Sequence, residues 1–309
     1  MKIRITFLRV LIGNPTVATE EYTLIRNWFY NILTKMGPKK EILRFDYEYD
    51  NYKRHIAQYK MAVQIMSKEI TSITPEASTY EAAELMGANH IGSLIVMEYD
   101  TPVGIISERD LLTKILAQGK NLKKEKVKNS MSYPIITIDL TMRIKEAAQI
   151  MITEHVRRLA VVSDQKLMGM VTASDLIRSL PEIPETAIRV DDLMTKQVIT
   201  AEENASVSAL AKTMGQYRIG SIIITSKGKP TGIFTERDLF TKIIANNKPL
   251  KSKVSEHFSS PLISIPIMTS VHKAAMIMSI KHIRRLPVIK ETKLAGIVTA
   301  RDLVEAYAK

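Results

Sequence analysis

Four short stretches of this chain place a hydroxyl three residues ahead of a carboxylate: Ser107 and Asp110, Thr172 and Asp175, Thr235 and Asp238, Thr299 and Asp302. Each lies in a Gly-apolar-apolar-Ser/Thr-x-x-Asp-Leu pattern, as in GIISERDL from Gly104 to Leu111. A hydroxyl at a helix N-cap with an acid in the first turn satisfies free amides and complements the helix dipole, so the pattern has a purely structural explanation. The same atoms also suit a nucleotide. Helix-start amides and a hydroxyl favour phosphate, and a carboxylate can accept hydrogen bonds from two vicinal ribose hydroxyls. On the residues alone both readings stand.

Cations recur ahead of the same stretches. Arg157 and Arg158 precede the second, Arg284 and Arg285 the fourth, with His155 and His282 two positions earlier; His90 and Arg218 hold the corresponding place in the first and third. The planar guanidinium fork matches phosphate oxygens through paired charged hydrogen bonds, whereas a solvated strand edge would use the same residues for nothing. A base would need an apolar slot with backbone polar groups. The segments 70–73, 135–138, 198–201 and 262–265 offer one each, carrying Ser72, Ile136 and Thr137, Ile199 and Thr200, and Ile263 and Ser264. Ordinary edge-strand hydroxyls are the plainer account of these.

The elements that must hold such groups follow from the repeat. The four aspartates are spaced by 65, 63 and 64 residues, a constancy that marks tandem copies of one unit. Ile91 to Val96 matches Ile219 to Ile224, and His155 to Leu159 matches His282 to Leu286, so the order is ABAB and the duplicated unit is a pair. Within copy one, Tyr80 to Met86 reads as a short helix. Leu94 to Met97 and Val103 to Ile106 read as buried strands joined by a hairpin around Asp100 and Pro102. Ser107 then caps a second helix with Leu111, Leu112, Ile115 and Leu116 as its inward stripe. Each copy is thus strand, helix, strand, strand, helix, and a unit this small is expected to pair through its apolar faces.

The copies are placed at 63–120, 127–181, 190–247 and 254–309, with Pro181 and Pro184 separating the pairs and lysine-rich solvated connectors within them. Residues 1–62 are outside the repeat. They hold six of the eleven tyrosines, three of the six phenylalanines, the sole tryptophan and a net charge of +5 out of +12. They read as an accessory helical segment or as sequence ahead of a start near Met61 or Met66; nucleic-acid docking by stacking is the less favoured alternative. With no cysteine among the 309 residues, disulfides, thiolate metal sites and cysteine nucleophiles are excluded. No apolar run approaches the ~18 residues of a membrane helix, and a cytoplasmic location without membrane attachment is expected.

The endings, together with the Arg-Arg-Leu-Pro-Val and Ile-Gly-Ser-apolar strands, resemble the cystathionine beta-synthase (CBS) domain over about residues 63 to 308. In that family two domains form a Bateman module. Four in tandem are similar to archaeal stand-alone CBS proteins and to the gamma subunit of the AMP-activated protein kinase. The resemblance implies an α/β fold of four β-α-β-β-α repeats paired into two modules. It also implies a non-catalytic regulatory protein that binds AMP, ADP or ATP in clefts of paired domains. Its expected partners are the nucleotide, a regulated protein and a second chain stacked module on module, with no catalytic cofactor or metal. It assigns the four Ser/Thr-Asp pairs to ribose and phosphate, the Arg-Arg and His residues to phosphate, and the incoming strand to the base. Copy two departs at Ala160, where copy four has Pro287, and at Ser174, where the others have arginine; either change would weaken a site. An S-adenosylmethionine sensor and a nucleic-acid-binding regulator are the alternatives. No metal cluster, catalytic triad or glycine-rich phosphate loop supports an enzyme.

Overall fold

A computed structural model describes residues 60–164, 166–179 and 188–308. The expectations for residues 1–59 and for the proline linker at 181–187 lie outside the described residues.

Copy one opens with a single turn, α1 (Ala62–Ile65), then β1 (Ser72–Ile73), α2 (Thr79–Ala88), β2 (Ser93–Glu98), β3 (Thr101–Ser107) and α3 (Glu108–Lys114). Copy two continues with β4 (Thr137–Asp139), α4 (Ile144–Thr153), β5 (Arg158–Ser163), β6 (Lys166–Thr172) and α5 (Ala173–Ser179). Copy three repeats copy one: a leading turn α6 (Val190–Leu193), β7 (Thr200–Glu202), α7 (Val207–Gln216), β8 (Ser221–Ser226) and β9 (Lys229–Thr235). Its last helix, α8 (Glu236–Asp238), widens into a π-type segment through Leu239–Ile244. Copy four closes with β10 (Ile265–Pro266), α9 (Val271–Ile280), β11 (Arg285–Lys290), β12 (Lys293–Thr299) and α10 (Ala300–Ala308).

Each copy holds one three-stranded sheet in which the first strand runs parallel to the second and the second antiparallel to the third. The predicted strand-helix-strand-strand-helix order is therefore observed four times. The hairpins turn through a left-handed residue, Tyr99, Asp164, Lys227 or Glu291. Pro102, expected in the turn, lies inside β3 opposite Met97, where the register shifts.

The apolar faces are shared in an unexpected way. One core joins copies one and three and contains Leu111, Leu112, Ile115, Leu239, Phe240 and Ile243; the other joins copies two and four. Helix faces thus pack across the pairs. Gly87 of α2 meets Ala245, and Gly215 of α7 meets Ala117, so closely that an added Cβ would sit 2.5 and 2.1 Å from those methyl groups. The apolar stripes announce burial but do not say against which copy, so pairing between neighbours in sequence was only half of the arrangement.

Neighbours in sequence are joined by an exchange of leading segments. Ser67, ahead of copy one, bridges Met170 in β6 of copy two, while Ser132, ahead of copy two, bridges Ile105 in β3 of copy one. Thr195 with Ile297 and Ser259 with Ile233 repeat this in the second pair. The crossing chain lies directly on the motif glycines: a Cβ on Gly104 would come within 2.8 Å of Met131 and one on Gly232 within 2.3 Å of Phe258. Glycine at these positions is required by close approach, not by a special turn. Ala62, counted with the N-terminal extension from sequence, is fully buried in the core of copies two and four.

Candidate functional site

In copies one to three the Ser/Thr-Asp pair forms the full capping box that helix chemistry predicts, and in copy four Thr299 and Asp302 form its carboxylate side. In copy one Ser107 Oγ donates to Asp110 Oδ2 at 2.5 Å, and the Ser107 amide donates to the same oxygen at 3.0 Å. Thr172 with Asp175, Thr235 with Asp238 and Thr299 with Asp302 repeat both bonds. One carboxylate oxygen per copy is therefore committed to the fold. What distinguishes the copies is the other oxygen.

In copy one Asp110 Oδ1 receives Lys114 Nζ at 2.8 Å and Ser132 Oγ at 3.4 Å; in copy three Asp238 Oδ1 receives Lys242 Nζ at 2.6 Å and Ser259 Oγ at 3.0 Å. In copy two Asp175 Oδ1 is held by Arg178. Asp302 Oδ1 alone of these four has no hydrogen-bond or ion-pair partner among the described residues. Burial pushes the Asp302 carboxyl above its usual range, against the two Thr299 bonds that favour the anion.

A cavity of about 880 Å³ opens where the copies meet, at the upper end of the ~300–1,000 Å³ of small-molecule sites. Thr172, Asp175, Thr299 and Asp302 line it. So do Arg157, Arg158, Arg284, Arg285 and His282, all expected at phosphate, and Ile199 from the incoming strand. Several expected groups are elsewhere. Ser107, Asp110, Thr235 and Asp238 are not on its wall, being closed off by the lysines and by the crossing segments at Ser132 and Ser259. His155 is not on the cavity wall but accepts through Nδ1 at 2.9 Å from Arg301, which is. Ser72, Thr137, Thr200, Ile263 and Ser264 are exposed, and Ile136 packs on the core of copies two and four.

The last group follows from where the wall runs. The cavity takes Ile70, Thr71, Gln197 and Val198 from the segments leading into β1 and β7, ahead of the predicted hydroxyls. His90, His155, Arg218 and His282 all have positive φ, from 52° to 56°, so their shared place is a left-handed helix exit before the buried strand. The departures at Ala160 and Ser174 do not remove copy two from the site, since Ser174 itself lines the cavity.

The electrostatics are set by arginines and two acids that the motif analysis passed over. Glu108 and Glu236, the residues after the capping hydroxyls, are almost completely buried. Glu236 Oε1 accepts from Arg109 Nε at 2.8 Å and its Oε2 from Arg285 at 3.1 Å. Burial pushes this carboxyl up, but Arg285, Arg109 and Arg157 together outweigh it and hold the pKa at about 2. Glu108 stands 3.6 Å from Arg237 and 3.7 Å from Arg284. Each acid, from copy one or three, thus faces one arginine of the other and one of copy four. The signal that could have found them was glutamate at this position in copies one and three where copies two and four have Ala173 and Ala300.

Copy two's arginines are treated differently. Arg158 donates to the Gly92 carbonyl at 3.1 Å, and the Arg157 side chain makes no hydrogen bond or ion pair with described residues. Desolvation, then the nearby Arg109, lowers the Arg157 guanidinium to about 9; desolvation and Arg284 lower Arg158 to about 10. Both remain charged at neutral pH. The cavity therefore presents cations without full counter-charge beside a carboxylate with a free oxygen, an arrangement that can bind an anion carrying hydroxyl groups. Among the described residues no cluster of three or more His, Asp or Glu could hold a metal, and no helix is long and apolar enough to cross a membrane.

Four repeats of this topology around one central cleft define a tandem-domain binding protein. The sequence profile of the CBS domain matches residues 62–117, 126–182, 190–245 and 254–309, and the chain belongs to the CBS domain family. An uncharacterised protein of Methanopyrus kandleri is 35% identical over 125 residues, 40% of this chain and 64% of that protein. A protein of Methanocaldococcus jannaschii is 28% identical over 267 residues, 79% of this chain and 61% of that one, so the chain spans less than two thirds of both relatives. A solved M. jannaschii structure, described as a candidate archaeal homologue of g-AMPK, superposes with a TM-score of 0.68 at 23% identity. It covers 80% of this chain and all of that one, and the two share the fold.

Proposed function

We propose that the chain is a non-catalytic regulatory protein whose central cavity binds an adenine nucleotide, AMP, ADP or ATP, and whose contacts with a partner protein change on binding. The observation that carries this reading is the pairing of an open carboxylate with uncompensated arginines in one cavity. Asp302 offers an acceptor for ribose hydroxyls, copy two's arginines offer phosphate donors, and Ile70 and Val198 with their backbone supply an apolar slot for the base. Asp302 Oδ1 and the Arg157 guanidinium have no direct hydrogen-bond or ion-pair partner among the described residues, so a ligand would supply one for each.

S-adenosylmethionine fits less well, because its sulfonium cation would enter a cavity lined by six or more arginines. Regulation follows from differential affinity alone: a ligand that prefers one arrangement of the copies tenfold shifts the balance by about 1.4 kcal/mol, giving a graded response.

Titration calorimetry and thermal shift with AMP, ADP, ATP and S-adenosylmethionine test this. A nucleotide at about 100 times its Kd should add about 2.7 kcal/mol of stability. Asp302→Ala should weaken nucleotide binding at least tenfold while the protein stays folded. Unchanged affinity in that variant, or no response to any adenylate, refutes the reading.

A further inference from the structure

The ABAB order is also an order of open and closed clefts. The crossing segment and the Ser/Thr-Asp pair recur in all four copies, yet only those of copies two and four face the cavity. What sets copies one and three apart is a cation four residues after the aspartate that the crossing segment also holds, whereas copy two's Arg178 stands three residues on and has no crossing-segment bond among the described residues. At the fourth residue copies one and three have Lys114 and Lys242; copies two and four have Ser179 and Ala306.

Both lysines are held on three sides. Lys114 Nζ reaches Asp110 Oδ1 at 2.8 Å and the Ser130 carbonyl at 2.7 Å, and Lys242 Nζ reaches Asp238 Oδ1 at 2.6 Å and the His257 carbonyl at 2.9 Å. Those carbonyls belong to the crossing segments, whose Ser132 and Ser259 hydroxyls bond the same carboxylate oxygens. Ser67 and Thr195, at the matching place in the other two clefts, make no such bond among the described residues. The hydroxyl pair of a ribose would need the oxygen that the ammonium occupies; in copy two that oxygen is met by Arg178, a side chain on the cavity wall that no crossing segment holds among the described residues, and in copy four it is free.

We propose that Lys114 and Lys242 act as built-in ligands of Asp110 and Asp238. They keep the clefts of copies one and three latent and confine nucleotide to copies two and four. The inference rests on the adenylate reading for the nature of the ligand, but its outcome is read separately. An i,i+4 lysine on a largely buried carboxylate is local and already in place, so a ligand has to displace it as well as fit.

The test compares the full chain with a Lys114→Met, Lys242→Met double variant, by calorimetric stoichiometry with AMP and with ATP. Methionine keeps the apolar stem and removes the ammonium. The expected result is at most two equivalents on the parent chain and one or two more on the double variant. In a parent background, Asp110→Asn with Asp238→Asn should leave stoichiometry unchanged. If the double variant melts early, Lys114→Ala with Lys242→Ala, which also frees each aspartate, is titrated instead at a temperature well below its melt. More than two equivalents on the parent, a loss on changing Asp110 and Asp238, or no gain in the lysine variants overturns the proposal. Adenylate binding to the lysine variants but not to the parent would sink the proposed function and uphold the latent clefts.

Discussion

Arg157 carries its charge into the cavity without a direct ion pair among the described residues, Glu236 helping only at longer range, and that makes it costly to the empty protein. Its pKa falls from the ordinary arginine range to about 9, and desolvation is the first cause. Arg157→Met should therefore cost the ligand-free protein little stability, relief of desolvation offsetting the weaker support of Glu236, while lowering nucleotide or inorganic pyrophosphate affinity at least tenfold. Thermal melts with and without pyrophosphate check both halves. Glu236 has the opposite character. Its folded pKa of about 2 lies below the ordinary 4.5, so the stability it contributes is present above pH 4.5 and is lost as pH falls toward 2. Glu236→Gln should remove about 3 kcal/mol at neutral pH and flatten the acid limb of the stability curve between those values, seen by denaturant titration from pH 2 to 7. Spacing alone made the aspartates and the Arg-Arg pairs legible. It did not reveal which carboxylate oxygen is free, because Lys114 and Lys242 read as helix-surface charges until the crossing segment is laid over them.

At the scale of elements, the exchange of leading segments explains why single copies are not the unit of stability. Ala62 donates its amide to the Met142 carbonyl at 2.8 Å, and Val63 donates to Leu140 at 3.0 Å, so α1 is part of copy two's surroundings although it stands at the head of copy one. Ala62→Leu should overpack the shared core and cost about 1–3 kcal/mol, measurable by chemical denaturation; a neutral result would mean α1 is not seated there. The strands and helices themselves were readable, since continuous apolar runs and capping hydroxyls fix their type. The exchange was not, because a bridge of one residue such as Ser67 to Met170 leaves no periodicity in the sequence. The incoming strands were displaced for a similar reason: two or three paired residues set their facing, too few for alternation to be read.

For the whole molecule, the consequential fact is that both large cores run between the pairs. Copies one and three share one, copies two and four the other, and Glu108 and Glu236 tie copies one and three to each other and to copy four at the centre. The helix faces through which separate modules would stack are occupied within the chain. A fragment of residues 60–179 should consequently expose both faces and self-associate into dimers by light scattering, whereas a stable monomer would contradict the assignment of the cores. The crossing chain at Gly104, Gly169, Gly232 and Gly296 carries this further. Each glycine belongs to one copy and the residue lying on it to the leader of the other, so a recombinant that imports one copy brings half of a joint whose other half stays behind. Grafts between related proteins should succeed when the break falls between the pairs, near residue 188, and fail when it falls inside one.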